Sequence, residues 1–221
     1  MRIAVLGGSF NPLHIGHAML CDAVCKELGF DKVLLVPTCN PPHKIIKSNV
    51  TAQERLEMVK AFCEAEGTGR FLAESCEIDR GGISYTSDTL EFINKIYKDI
   101  LSEKPYFIMG EEIAAEFEKW KSPEHIIEMC SLIISRRHPN MNNIDDAKYS
   151  NEPSAHYAGE FKVAFNPENF KFSFVRLENP RFPVSSTEIR ARIAEGKSWK
   201  YMVPETIAEY IIKNQLYLVN S

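Results

Sequence analysis

Several things are missing from this 221-residue chain, and each absence closes off a class of protein. No run of about 18 apolar residues occurs, so no membrane-spanning helix is expected. Charged residues and glycines interrupt the first residues, which excludes a signal peptide and makes a cytoplasmic protein the expectation. The formal net charge is −4, so nothing marks a general binder of nucleic acid. Neither nucleic acid nor membrane is expected among its partners. The six cysteines (Cys21, Cys25, Cys39, Cys63, Cys76, Cys130) contain no Cys-x-x-Cys pair. In a chain this long that pattern reads as reduced, mostly buried thiols, not a disulfide framework. His17, Cys21 and Cys25 follow at i, i+4 and i+8 and could share a helix face as metal ligands, but no second cluster supplies a fourth. No Ser-His-Asp or Cys-His arrangement marks an activated nucleophile, no carboxylate cluster marks a dedicated metal site, and no segment repeats.

What remains is an alternation. With 44% hydrophobic residues the chain can bury a sizeable core, and one domain over 1–221 is expected. Ile3-Ala4-Val5-Leu6 is apolar without alternation, as a strand covered on both faces should be. Residues 15–28 carry Ile15, Met19, Ala23 and Leu28 at helical spacing. Strands are then expected at 32–36, 71–73, 105–109, 132–135 and 172–177. Helices are expected at 53–66, with Thr51 placed to cap it, and at 86–100, 111–120 and 204–213. Strand and helix in turn predict an α/β fold, a doubly wound and mostly parallel sheet. Residues 138 to about 170 break the rhythm, being polar and rich in Asn, Pro and Ser. A loop or insertion is expected at about 138–182, followed by a helical end at about 186–215.

The stretch GGSFNPLHIGH, residues 7–17, lies between the first strand and the first helix. Such a turn sits at the carboxyl end of a parallel strand, where open α/β sheets bind ligands. Gly7 and Gly8 let backbone come close to a ligand, and the next helix aims its unpaired N–H groups and positive dipole end at the turn. His14 and His17 are three residues apart, so one helical turn brings both imidazoles to the same side. Donors so grouped suit the oxygens of a phosphate chain.

These residues resemble the nucleotidylyltransferase superfamily, whose signature is a histidine pair separated by x-Gly after the first strand. The longer form is similar to the bacterial nicotinate-nucleotide adenylyltransferase family. PPHK (41–44), ERLEMV (54–59), SYTSDTL (84–90), FIMG (107–110), KW (119–120), SRRHP (135–139) and SSTEIR (185–190) follow in the family's order. The resemblance implies a Rossmann-like nucleotidylyltransferase fold. It implies transfer of the adenylyl group of ATP to nicotinate mononucleotide, yielding nicotinate adenine dinucleotide and pyrophosphate in NAD biosynthesis. His14, His17, Lys44 and Arg190 are then expected at the reacting phosphates. Gly7, Gly8, Ser9, Phe10, Gly110, Glu112, Ser186 and Thr187 are expected around ATP, and Tyr85, Thr86, Trp120 and Arg137 around nicotinate mononucleotide. Mg²⁺ is expected to arrive with ATP. A homo-oligomer is left open. Plainer roles compete: Lys44 as a loop lysine, Thr86 as a helix cap, Trp120 as a core aromatic, Arg136 and Arg137 as surface charge. The family's Gly-x-Asp is here Gly110-Glu111-Glu112, so a longer carboxylate would have to reach the ribose. Alternatives are an adenylyltransferase of dual or nicotinamide mononucleotide specificity, and a nucleotide-binding protein without turnover. The shorter pantetheine-phosphate relatives lack the SYT and KW segments.

Overall fold

A computed structural model describes residues 1–42, 49–136 and 165–218. Six strands form one sheet: β1 (Ile3–Gly8), β2 (Lys32–Pro37), β3 (Phe71–Ala73), β4 (Tyr106–Gly110), β5 (Ser131–Ser135) and β6 (Phe174–Leu177). Their order is β3-β2-β1-β4-β5-β6, and every pairing among these strands is parallel. The order reverses between β1 and β4, which opens a crevice at their carboxyl ends.

The unbroken apolar runs have a simple origin. Ala4 and Leu6 of β1 join one core with Val33, Leu35, Ile108 and Ile133, while Ile3 and Val5 join another with Leu34, Val36, Phe107 and Leu132. Alternate side chains thus point to opposite faces, and both faces are covered. Burying a Leu or Val fully contributes about 1.5–3 kcal/mol, so neither face tolerates a polar substitution. Helices α1 (Ile15–Glu27), α2 (Ala52–Glu66), α7 (Ser186–Ala194) and α8 (Glu205–Lys213) supply side chains to the first core; α4 (Thr86–Ile96) and α6 (Pro123–Met129) supply the second. Thr51 caps α2 as its sequence suggests, accepting from the Glu54 amide, and Glu54 reaches back to the Thr51 amide at 2.7 Å.

Four expectations need correcting. The helix expected at 86–100 ends at Ile96, where Tyr97 closes it by donating its amide to the Ile93 carbonyl. The helix expected at 111–120 is instead α5 (Glu111–Ala114) followed by a 3-10 turn at Phe117–Lys119. The tighter turn seats the fully buried Phe117 ring against Trp120, Phe170 and Phe172. Two short helices have no counterpart in the sequence reading, α3 (Cys76–Arg80) and α6. The last strand begins at Phe174, because Phe172 turns into that aromatic cluster. Within the stretch read as an insertion, Phe165, Phe170, Phe172 and Phe174 pack on one another and on Phe117, so its described end is a wall of the domain.

Candidate active site

The turn after β1 is held from behind at four points. Arg55 of α2 donates Nη1 to the Ser9 carbonyl at 2.6 Å, and Arg190 of α7 donates Nη1 to the Asn11 carbonyl at 2.7 Å. Ser186 donates its hydroxyl to the Pro12 carbonyl at 2.9 Å, and the Tyr217 hydroxyl donates to Asn11 Oδ1 at 2.9 Å. Three carbonyl acceptors of a tight turn, those of residues 9, 11 and 12, are therefore satisfied by side chains from the rest of the domain. Burial lowers the proton affinity of both Arg55 and Arg190, yet a guanidinium keeps its charge throughout the working pH range. Burial likewise pushes the Tyr217 hydroxyl up, which keeps it a neutral donor.

Phe10 has φ 44°, a left-handed conformation that a bulky residue adopts only under constraint, and its ring is buried. Its side chain is therefore no ligand surface, and only its main chain can serve the site. A methyl group on Gly8 would lie 3.2 Å from that ring, so the glycine follows from the packing of Phe10. At Gly7 a methyl would meet only Phe107, at 3.7 Å, an ordinary contact.

The two histidines meet at the start of α1, with His14 as its N-cap. Their rings stack at 3.8 Å between centroids, and the edge of Phe10 stands 5.1 Å from His17. The His14 amide donates to His17 Nδ1 at 3.2 Å. A ring nitrogen that accepts carries no proton, so neutral His17 presents N–H at Nε2. A methyl on Gly16 would stand 3.1 Å from His14 Nδ1 and 3.2 Å from its Cε1, so this glycine is the floor beneath the ring.

Across the switch point, Gly110 closes β4 and caps α5. The Glu112 carboxylate folds over it so closely that a side chain at 110 would collide with both oxygens, at 2.4 and 2.7 Å. Glu111 is engaged elsewhere, paired with Arg176 Nη2 at 2.7 Å. Of the two acids, Glu112 is the one folded over Gly110 at the carboxyl end of β4. At α7, Ser185 is the cap, accepting from the Glu188 amide at 3.1 Å. Thr187 Oγ1 accepts from Arg190 Nη2 at 3.3 Å. The hydroxyls of Ser186 and Thr187 are thus engaged within the protein.

A second cluster lies at the start of α4. Tyr85 is its N-cap without a side-chain capping bond, and Thr86 is its first residue. The Lys121 ammonium sits over the Tyr85 ring at 4.1 Å, while the neighbouring Trp120 ring packs on Phe117 at 5.4 Å and Phe107 at 6.1 Å. The SYT and KW segments are thereby brought together. Behind them, Ser84 Oγ accepts from the amides of Cys39 at 3.2 Å and Asn40 at 3.3 Å, tying the turn after β2 to this loop. Buried Glu77, its carboxyl pushed up by desolvation, accepts from Thr89 at 2.7 Å.

Lys44 and Arg137 lie outside the described residues. Arg136 ion-pairs with Glu178 and donates its amide to Asn179 Oδ1 at 2.9 Å. Cys21 and Cys25 are buried core residues whose thiols burial pushes up, so they make poor thiolate ligands. Among the described residues no group of three His, Cys, Asp or Glu is placed to hold a metal ion, and no helix is long and apolar enough to cross a membrane. Sequence reasoning overlooked Arg55, Asn11, Glu77, Lys121 and Tyr217. Arg55 left a signal: it is in line with Val59 and Phe62 on the apolar face of α2, where a charged residue is out of place.

A cytidylyltransferase-like family model matches residues 5–192. A Borrelia garinii subsp. bavariensis protein named "Probable nicotinate-nucleotide adenylyltransferase" is 36% identical over 99% of this chain and 95% of its own length. A Treponema pallidum protein of the same name is 33% identical over 98% and 99%. Among solved structures, a Plasmodium falciparum nicotinic acid mononucleotide adenylyltransferase complexed with NaAD superposes with a TM-score of 0.68, at 19% identity, covering 98% of this chain and 97% of that one. With the fold, the histidine pair and full-length relatives in agreement, the chain belongs to the cytidylyltransferase-like family and, within it, to the nicotinate-nucleotide adenylyltransferases.

Proposed function

We propose that the turn after β1 is where this enzyme transfers the adenylyl group of ATP to nicotinate mononucleotide, releasing pyrophosphate on the way to NAD. The nucleophile is a phosphate monoester. Its second pKa of about 6 leaves it largely dianionic at neutral pH, so no general base is required. What the reaction needs is alignment of the attacking and leaving oxygens and donors for the charge that spreads over the phosphates.

His17 supplies an Nε2–H fixed by its own bond to the His14 amide, with His14 stacked beside it. Arg190, anchored on Asn11 and Thr187, stands at the same turn as the clamp for the leaving pyrophosphate. Lys44 adds a point charge, and Gly7, Gly8, Ser9 and Phe10 contribute main chain. Glu112 takes the ribose hydroxyls. Mg²⁺ enters as part of the substrate, chelated to ATP, and supplies charge neutralisation there. Thr86 and the uncapped end of α4, with Lys121 near, receive the nicotinate carboxylate, and Tyr85 and Trp120 flank the ring. Arg137 joins them as a substrate contact.

The observation that carries this reading is the inverted turn, whose carbonyls are held inward while two stacked imidazoles stand at the helix start. Pyrophosphate release from MgATP with a panel of mononucleotides tests it. Nicotinate mononucleotide should be the best acceptor. Binding without release would indicate a nucleotide-binding protein, and equal rates with nicotinamide mononucleotide an enzyme of dual specificity.

A further inference from the structure

Arg55 poses a problem that packing does not solve. It is 1% exposed, and its two hydrogen-bond partners among the described residues are neutral carbonyls, Ser9 at 2.6 Å and Cys39 at 3.5 Å. Its Nε is buried without a hydrogen-bond partner among the described residues. Among the described residues no anion lies within ion-pair distance and only Glu77 acts on it from further off; a buried cation so placed costs stability, and an apolar residue of similar volume would serve the core of α2 better. A task outside the core has to account for it.

That task is visible at the Ser9–Phe10 peptide. In a trans peptide the carbonyl and the following N–H point to opposite sides. Arg55 holds the Ser9 carbonyl inward, so the Phe10 N–H faces away from the buried guanidinium. Among the described residues that amide donates to no acceptor. The peptide leads into the left-handed Phe10, a conformation that persists only where the surroundings over-determine it. The second guanidinium nitrogen reaches Cys39, so one planar fork spans the turns after β1 and β2.

We propose that Arg55 is a positioning residue for adenylyl transfer: it keeps the Ser9–Phe10 peptide turned so that the Phe10 N–H binds the ATP phosphates, and it acts only through that peptide. This rests on ATP occupying the turn after β1, as put forward above.

Arg55→Met and Arg55→Lys test the assignment, with binding of Mg·α,β-methylene-ATP and of nicotinate mononucleotide measured separately by calorimetry alongside steady-state kinetics. R55M should lose at least tenfold in affinity for the ATP analogue and raise the KM for ATP, with nicotinate mononucleotide changed by less than threefold. R55K restores the charge and one bond to Ser9, and should recover part of the loss. Equal losses for both ligands would make Arg55 a merely structural residue and overturn the proposal, as would an unchanged affinity for the analogue. A third arm needs no variant. The ¹⁵N-labelled Phe10 amide of the wild type should shift when the analogue binds, and an amide that stays still while calorimetry shows binding overturns the proposal even if neither variant folds. Wild-type protein that releases no pyrophosphate from ATP and nicotinate mononucleotide would instead refute the functional reading itself.

Discussion

Replacing Gly16 by Ala should separate activity from stability. Gly16 is the second residue of α1, and alanine is favoured over glycine in a helix by about 0.8–1 kcal/mol. The new methyl would stand 3.1 Å from His14 Nδ1 and 3.2 Å from Cε1, with Val184 Cγ1 at 3.4 Å on its other side. The ring must retreat by roughly 0.3–0.5 Å to restore ordinary contact, at a cost comparable to the helix gain. The two effects nearly cancel. For a chain of this size a residual of about 1 kcal/mol moves Tm by only about 2–4 °C. The ring cannot retreat alone, because it is stacked on His17 at 3.8 Å, so the disturbance passes to the second imidazole. A misplacement of about 1 Å in a catalytic constellation can cost roughly 10²-fold, so a third to a half of that should lower kcat/KM by roughly 5- to 10-fold. Pyrophosphate release and thermal melting of the same preparations read both quantities. Activity within twofold of wild type would show that His14 needs no fixed floor, and the place of Gly16 in the motif would need another cause.

His17→Ala should keep the fold and lower turnover by roughly 10²–10³-fold, the effect of losing one preorganised donor; turnover within a few fold of wild type removes His17 from the reaction. If Glu112 binds the ribose hydroxyls, 2′-deoxyATP should be a poorer substrate by about 1–3 kcal/mol in kcat/KM, the cost of a buried polar group left unpaired. Equal values for the two nucleotides would leave Glu112 as an ordinary first-turn acid. In competition at equal concentration, nicotinate mononucleotide should be used at least roughly tenfold over nicotinamide mononucleotide, since a charge-assisted bond contributes about 1.5–3 kcal/mol. Lys121→Ala should narrow that preference roughly two- to fivefold, as befits an exposed cation; no change in the ratio leaves the uncapped start of α4 as its source.

How much of this was legible in the sequence depended on how far apart the cooperating residues lie. The strands were readable because coverage on both faces leaves them no polar positions, as Ile3 and Val5 against Ala4 and Leu6 show. The histidine pair was readable because both imidazoles and the glycine between them fall within one helical turn. The boundary errors have the opposite cause. Nothing local at 111–120 forbids a continuous helix, and it is Phe170 and Phe172, more than fifty residues later, that take Phe117 into a tighter turn. Glu112 was named in the sequence by its place after Gly110, but the pairing of Glu111 with Arg176 on β6 spans 65 residues and has no local sign.

The same distinction runs through the site. The residues proposed to touch ligand sit in short segments, whereas those that shape the turn after β1 come from far along the chain. Arg55 is 46 residues from Ser9, Arg190 is 179 residues from Asn11, and Tyr217 is 206 residues from Asn11. No local pattern can announce such a bond, because neither partner is unusual among its own neighbours except Arg55 on its apolar face. The arrangement also ties the site to completion of the fold. Until α2, α7 and the turn after α8 have docked, the carbonyls of residues 9, 11 and 12 lack these donors, and nothing holds Phe10 in its left-handed conformation. Docking these elements takes the acceptors of the turn up inside the protein, and the donors that remain are the ones proposed to meet the phosphates.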